Sequence, residues 1–159
     1  MSPGERPEPG QWSPPADGGE RTIRLTWTGE RLQFLGRTAY GDPVLVGGNP
    51  EGPGAKPSDL LPLSLAACTA YDVVEILRKQ RQDLRQLQID VSWIQDPDPP
   101  WTFRSIHCRF VLTGTIDPRK AARAIELAEG KYCAVAATIR PTVVLTHEAE
   151  IHPEPSPSG

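Results

Sequence analysis

The segment Leu60–Leu77 constrains this chain more than any other stretch. Its apolar residues are Leu60, Leu61, Leu63, Leu65, Ala66, Ala67, Cys68, Ala70, Val73, Val74, Ile76 and Leu77. At helical spacing these do not form one stripe but cover most of the circumference. A helix apolar nearly all round must be buried nearly all round. One domain of this size can scarcely surround such a helix alone. A dimer built around the helix solves the problem; a central helix in a monomer is the alternative. Pro57 and Ser58 can start the helix, and Asp59 suits its positive end. Pro62 lies too early to break the helix and shifts its first full turn to about Leu61. Beyond Leu77, the run Arg78-Lys79-Gln80-Arg81 reads as a solvated end.

A chain of 159 residues suggests one domain. Residues 1–20 hold five prolines, and 153–159 hold three. We therefore expect a disordered arm over 1–20, a folded domain over 21–152 and a disordered tail over 153–159. No uninterrupted apolar run approaches the length of a bilayer span, so no membrane contact is expected. Met1–Gly10 lacks the apolar stretch of a secretory signal, which predicts a cytoplasmic location. The net charge of −3 comes from the ends, where Glu5, Glu8, Asp17, Glu20 and Glu154 face Arg6 alone. The remaining core is close to neutral, which is not the basic footprint of a nucleic-acid binder.

Period-two alternation marks the strands. Ile23, Leu25 and Trp27 alternate with Thr22, Arg24 and Thr26, and Thr28-Gly29 and Tyr40-Gly41-Asp42-Pro43 supply turns. After the long helix, Leu87, Ile89, Val91 and Trp93 form one face of a strand. A second strand places Ile106, Cys108, Phe110 and Leu112 together, with Ser105, His107 and Arg109 opposite. Asp117 then Pro118 reads as an N-cap and first helical position. Ala121, Ala124, Ile125, Leu127 and Ala128 give that helix its apolar face, and Gly130 is a candidate C-cap. A short helical piece over 131–139 follows. The chain closes as a strand over 140–151, with Val143, Leu145 and His147 on one face. Strands, long helix, strands, two helices and a strand predict an α+β fold with antiparallel pairing.

Three cysteines remain to be explained. An odd number argues against a structural disulfide framework. Cys68 lies mid-helix among Ala66, Ala67, Thr69 and Ala70, whose small side chains permit close approach. Cys133 follows Lys131-Tyr132 at a predicted helix start, where backbone amides and a lysine both favour a thiolate. The fold could bring these two together; equally, both could be small buried hydrophobes. Cys108, between Ile106 and Phe110 on an apolar strand face, reads as core. His107, His147 and His152 lack metal-ligand spacing with any cysteine, so no metal is expected. Residues 47–54 lack the ending of a phosphate loop, and no cofactor is implied.

Taken together, Leu65-Ala66-Ala67-Cys68-Thr69-Ala70-Tyr71-Asp72-Val73-Val74 and Glu129-Gly130-Lys131-Tyr132-Cys133-Ala134-Val135 resemble the OsmC/Ohr family. Trp27-Thr28-Gly29, Phe34, Gly36 and Gly41 resemble its N-terminal strands. The resemblance spans about Ile23 to Ile151. It implies an intertwined homodimer in which antiparallel sheets wrap two long central helices. It also implies thiol peroxidase chemistry on small organic hydroperoxides, reset by a dithiol reductant such as dihydrolipoamide. By position, Cys68 would be the attacking thiol and Cys133 the resolving one.

In the peroxidase branch of that family, an arginine from the early strands and a glutamate near the helix start serve the first cysteine. The nearest match for the arginine is Arg31, with Arg37 as second choice. The glutamate's position, ten residues before the cysteine, is Ser58 here; Asp59 is one residue later and shorter. Cys-Thr-Ala-x-Asp and Lys-Tyr-Cys resemble the YhfA-type branch more closely. Glu126 and Glu129 match the family's second helix, and a solvated face accounts for both. Two functions are therefore expected to compete: a peroxidase in oxidative stress defence, or a non-enzymatic, ligand-binding member with redox-sensitive cysteines.

Overall fold

A computed structural model describes residues 18–50 and 52–153. Of the arm expected over 1–20, residues 18–20 are exposed coil; the rest of it, and the tail from 154, lie outside the described residues. The chain divides into two compact units, one ending at Leu60 and the other beginning at Leu61.

The first unit is a three-stranded antiparallel sheet of β1 (Arg24–Trp27), β2 (Phe34–Arg37) and β3 (Pro43–Val46), in that order. Its first turn places Gly29 at φ 90° and Arg31 at φ 44°. Glycine adopts that region freely, whereas an arginine there needs support. The Trp27 indole N–H supplies it, donating to the Arg31 carbonyl at 2.8 Å. The second turn closes through Thr38 N–H to the Asp42 carbonyl at 3.0 Å. Arg37 Nη1 braces the same turn by donating to the Gly41 carbonyl at 3.1 Å.

A 3-10 turn, Pro57–Asp59, leads into α1 (Leu60–Lys79). Pro62 falls in the first turn of α1, where its missing N–H would have had no partner. Leu65, Ala66, Thr69, Val73 and Leu77 are buried, and Thr69 Oγ1 donates to the Leu65 carbonyl at 2.8 Å. On the other side, Leu63 is 58% and Tyr71 45% exposed, with Ala67 exposed between them. The all-round apolar pattern thus resolves into one covered face and one uncovered face. The segment Pro57–Lys79 is long and apolar enough, by length and composition, to cross a membrane. Ser64, Thr69 and Asp72 interrupt the apolar run, which is why a search for an unbroken stretch passes over it.

In the second unit, β4 (Asp83–Gln95), β5 (Phe103–Thr115) and β6 (Val144–His152) form a sheet in that order. Between β5 and β6 lie α2 (Pro118–Leu127), a π-helical turn (Ala128–Tyr132) and α3 (Ala134–Ile139). The expected α+β class holds, but not every pair is antiparallel: β5 and β6 run parallel. The helical crossover between them returns the chain in the same direction, which a hairpin could not do. The strand β4 starts at Asp83, earlier than its alternation suggests, because a bulge at Leu84/Gln86 breaks the period. Gly114 sits opposite at φ 139°; a Cβ there would lie 2.0 Å from the Asp83 carbonyl oxygen.

Ile106, Cys108, Phe110 and Leu112 are all buried and pack with Leu65, Val73 and Leu77 of α1. On the opposite face, Arg109 pairs with Asp90, Glu148 and Glu150. Asp117 caps α2 as expected, accepting from Arg119 N–H at 2.8 Å. Gly130 does not cap α2. The backbone widens into the π turn instead, and Gly130 lies inside it.

Candidate active site

Cys68, halfway along α1, is half-buried, while Cys133 is buried at the N-cap of α3. The Cys68 thiol lies near enough to the Cys133 sulfur for each to feel the other's proton. The backbone amides of Val135 and Ala134 lie on the same side and favour its thiolate. Cys133 Sγ accepts from Ala136 N–H at 3.3 Å. Three successive amides at the start of α3 therefore lie close to the two sulfur atoms.

The pull on the Cys68 proton is mixed. Burial pushes its pKa up most, and the neighbouring Cys133 adds to that. The Val135 and Ala134 amides oppose both by favouring the thiolate, and the net direction is upward. A nucleophilic thiolate here needs a further cation. Lys131, expected to help Cys133, stacks its ammonium over the Tyr132 ring at 5.3 Å.

Cys108 occupies the core face of β5, as its neighbours implied. Burial first, then the negative charge of Glu129 and the nearby Cys133, push its pKa up to about 11. It is a neutral thiol at physiological pH.

The other candidate residues lie before Leu61, in the first unit. Arg31 occupies the β1–β2 turn described above. Arg37 has its guanidinium engaged in the β2–β3 turn. Asp59 ends the 3-10 turn, and Ser58 Oγ donates to its Oδ1 at 3.5 Å.

The two glutamates of the second helix do not share one environment. Glu126 is exposed and faces Arg123 at 3.4 Å. Glu129 is not on a solvated face: its side chain is 15% exposed, and its Oε2 lies 2.6 Å from His147 Nδ1. Sequence reasoning missed this pair. The two residues are eighteen positions apart, and the π turn that re-aims Glu129 has no local signature.

Two neighbouring thiols can give up two electrons to an oxidant, release two protons and close a disulfide. The bond is about 2.05 Å long, so closure draws the sulfurs together from where they sit.

Comparison with known proteins identifies the family. The family model described as OsmC-like protein matches residues 48–148. Protein YhfA of Escherichia coli strain K12 is 33% identical over 129 residues, covering 80% of this chain and 96% of YhfA. A hypothetical protein from Aquifex aeolicus VF5 superposes with a TM-score of 0.76 at 26% identity, over 86% of this chain and 98% of that one. An organic hydroperoxide resistance protein from Legionella pneumophila shares the fold at a TM-score of 0.61 and 16% identity, over 83% and 97% of the two chains. With both cysteine segments inside the matched region, the chain belongs to the OsmC family.

Proposed function

We propose that this protein is a cysteine-based thiol peroxidase that reduces small organic hydroperoxides. The observation that carries the reading is the proximity of Cys68 and Cys133, with α3 amides close to both sulfurs. The Cys68 thiolate attacks one peroxide oxygen and the O–O bond breaks. Cys68 becomes a sulfenic acid, and the departing alkoxide takes a proton and leaves as an alcohol. Cys133 then attacks the sulfenic sulfur, the S–O bond breaks, and water leaves behind a Cys68–Cys133 disulfide. A dithiol reductant of the dihydrolipoamide kind reopens it by two thiol–disulfide exchanges.

Arg31 is our candidate for the cation that Cys68 needs, because Arg37 is already engaged in its own turn. Asp59 stands in for the family's glutamate as partner of that arginine. The working form is a homodimer in which the exposed Leu63, Ala67 and Tyr71 stripe of α1 meets a second copy. A monomeric mass by light scattering at micromolar concentration would contradict the dimer.

A second reading, a slow redox-sensitive binding protein, is favoured by two observations. Serine replaces glutamate at position 58, and the Cys68 thiol is pushed upward. Loss of cumene hydroperoxide with dihydrolipoamide as reductant decides between them. Fast turnover abolished by Cys68→Ser supports the peroxidase; slow loss, equal in both proteins, supports the second reading.

A further inference from the structure

Cys133 is carried by an irregular piece of backbone. The π turn Ala128–Tyr132 closes through Cys133 N–H to the Ala128 carbonyl at 2.8 Å. Such a turn inserts an extra residue into a helix and rarely persists without a reason. Here Glu129 anchors it twice. Its backbone carbonyl accepts from Arg140 Nη2 at 2.5 Å, tying the turn to the far end of α3. Its carboxylate meets the His147 imidazole at 2.6 Å, tying the turn to β6.

His147 is a firm anchor. It is the register partner of Cys108 on the central strand, and its ring stands edge-on to Phe110 at 6.2 Å. Phe110 is fully buried. The chain of contacts runs from the sheet, through His147 and Glu129, to the turn that presents Cys133 to Cys68. Neither Glu129 nor His147 is among the groups that shift the Cys68 thiol. The carboxylate is 15% exposed and the imidazole 35%, so the carboxylate end of the pair is the better shielded from water.

We infer that Glu129 and His147 are positioning residues, which hold the Cys133 turn against Cys68 and so set the rate at which the Cys68–Cys133 disulfide closes. The peroxide-driven form of this step rests on the peroxidase reading; closure by another oxidant does not. In either case the Cys133 sulfur attacks an oxidised Cys68 sulfur and displaces its leaving group, and the proton of Cys133 departs with that group.

The test separates the two steps in the full chain. Capture of the Cys68 sulfenic acid by a dimedone probe, in a Cys133→Ser background, reports attack on cumene hydroperoxide. Closure is followed with cumene hydroperoxide and, independently, with diamide, which oxidises vicinal thiols without any peroxide. Glu129→Ala and His147→Ala should slow closure about tenfold with both oxidants, as loss of orientation does. They should leave sulfenic acid formation within about twofold. Glu129→Gln keeps a hydrogen bond to the imidazole and should recover most of the closure rate. Closure at the wild-type rate in both alanine variants would overturn the inference. So would a glutamine variant no better than alanine, or equal slowing of both steps. Should the alanine variants fail to fold, Glu129→Gln and His147→Gln carry the comparison, with slower closure in the latter expected. Absence of any sulfenic acid would count against the peroxidase reading alone, and closure by diamide would still decide this one.

Discussion

Half-buried Cys68 and buried Cys108 both lie within the second unit and differ in what surrounds the sulfur. Cys68 and Cys108 are both pushed up, in each case first by burial. At Cys68, the Val135 and Ala134 amides work against that push. At Cys108, the Glu129 carboxylate works with it, and the thiol rises to about 11. Burial alone therefore makes a hydrophobe of a cysteine. Amides near the sulfur and a second thiol beside it are what a redox centre requires. The same carboxylate that meets His147 at the Cys133 turn also adds to the burial that keeps the third thiol protonated.

The comparison can be pressed from several sides. Cys133→Ser has the largest expected effect. On the peroxidase reading the first peroxide equivalent is still consumed, but the protein stalls as the Cys68 sulfenic acid, and turnover with the dithiol falls to background in a steady-state assay. Arg31→Ala should slow attack on the hydroperoxide about tenfold or more, matching a charge-assisted hydrogen bond of about 1.5–3 kcal/mol. Arg37→Ala should stay within about twofold, and equal effects would remove Arg31 from the mechanism. The same Arg31 variant should move the pH profile of Cys68 alkylation to more alkaline values, because it removes the cation proposed to oppose burial.

Smaller effects are expected at Cys108. The folded Cys108 holds its proton more tightly than the unfolded thiol does, whose ordinary value is 9.0. Its contribution to stability is full below that value and is lost as pH rises through about 11. Alkaline denaturation followed by circular dichroism should therefore flatten in Cys108→Ala. At neutral pH the same variant should lose about 1 kcal/mol for the atom removed from the core, with turnover unchanged.

Much of this was legible in local pattern. The long helix, the Asp117-Pro118 start of α2 and the core face of β5 follow from spacing and from single residues with one favoured position. The uncovered stripe at Leu63, Ala67 and Tyr71 was implied by too much apolar surface for one domain. What escaped depends on backbone irregularity or on distant pairing. The bulge at Leu84/Gln86 hid the start of β4, since a break in period reads as a break in strand. The π turn made Gly130 an interior residue and turned Glu129 away from solvent. Parallel pairing of β5 with β6 set His147 beside Cys108, and no composition rule announces a register. The pairing of Cys68 with Cys133 came from resemblance, and from spacing alone would have stayed undecided.

The central claim is that Cys68 and Cys133 form the redox pair while Cys108 stands aside. Peptide mapping after one equivalent of cumene hydroperoxide, with free thiols blocked in acid, tests it most directly. The account predicts a Cys68–Cys133 disulfide and an unmodified Cys108. A disulfide that includes Cys108, or slow and equal oxidation of all three cysteines, would contradict it.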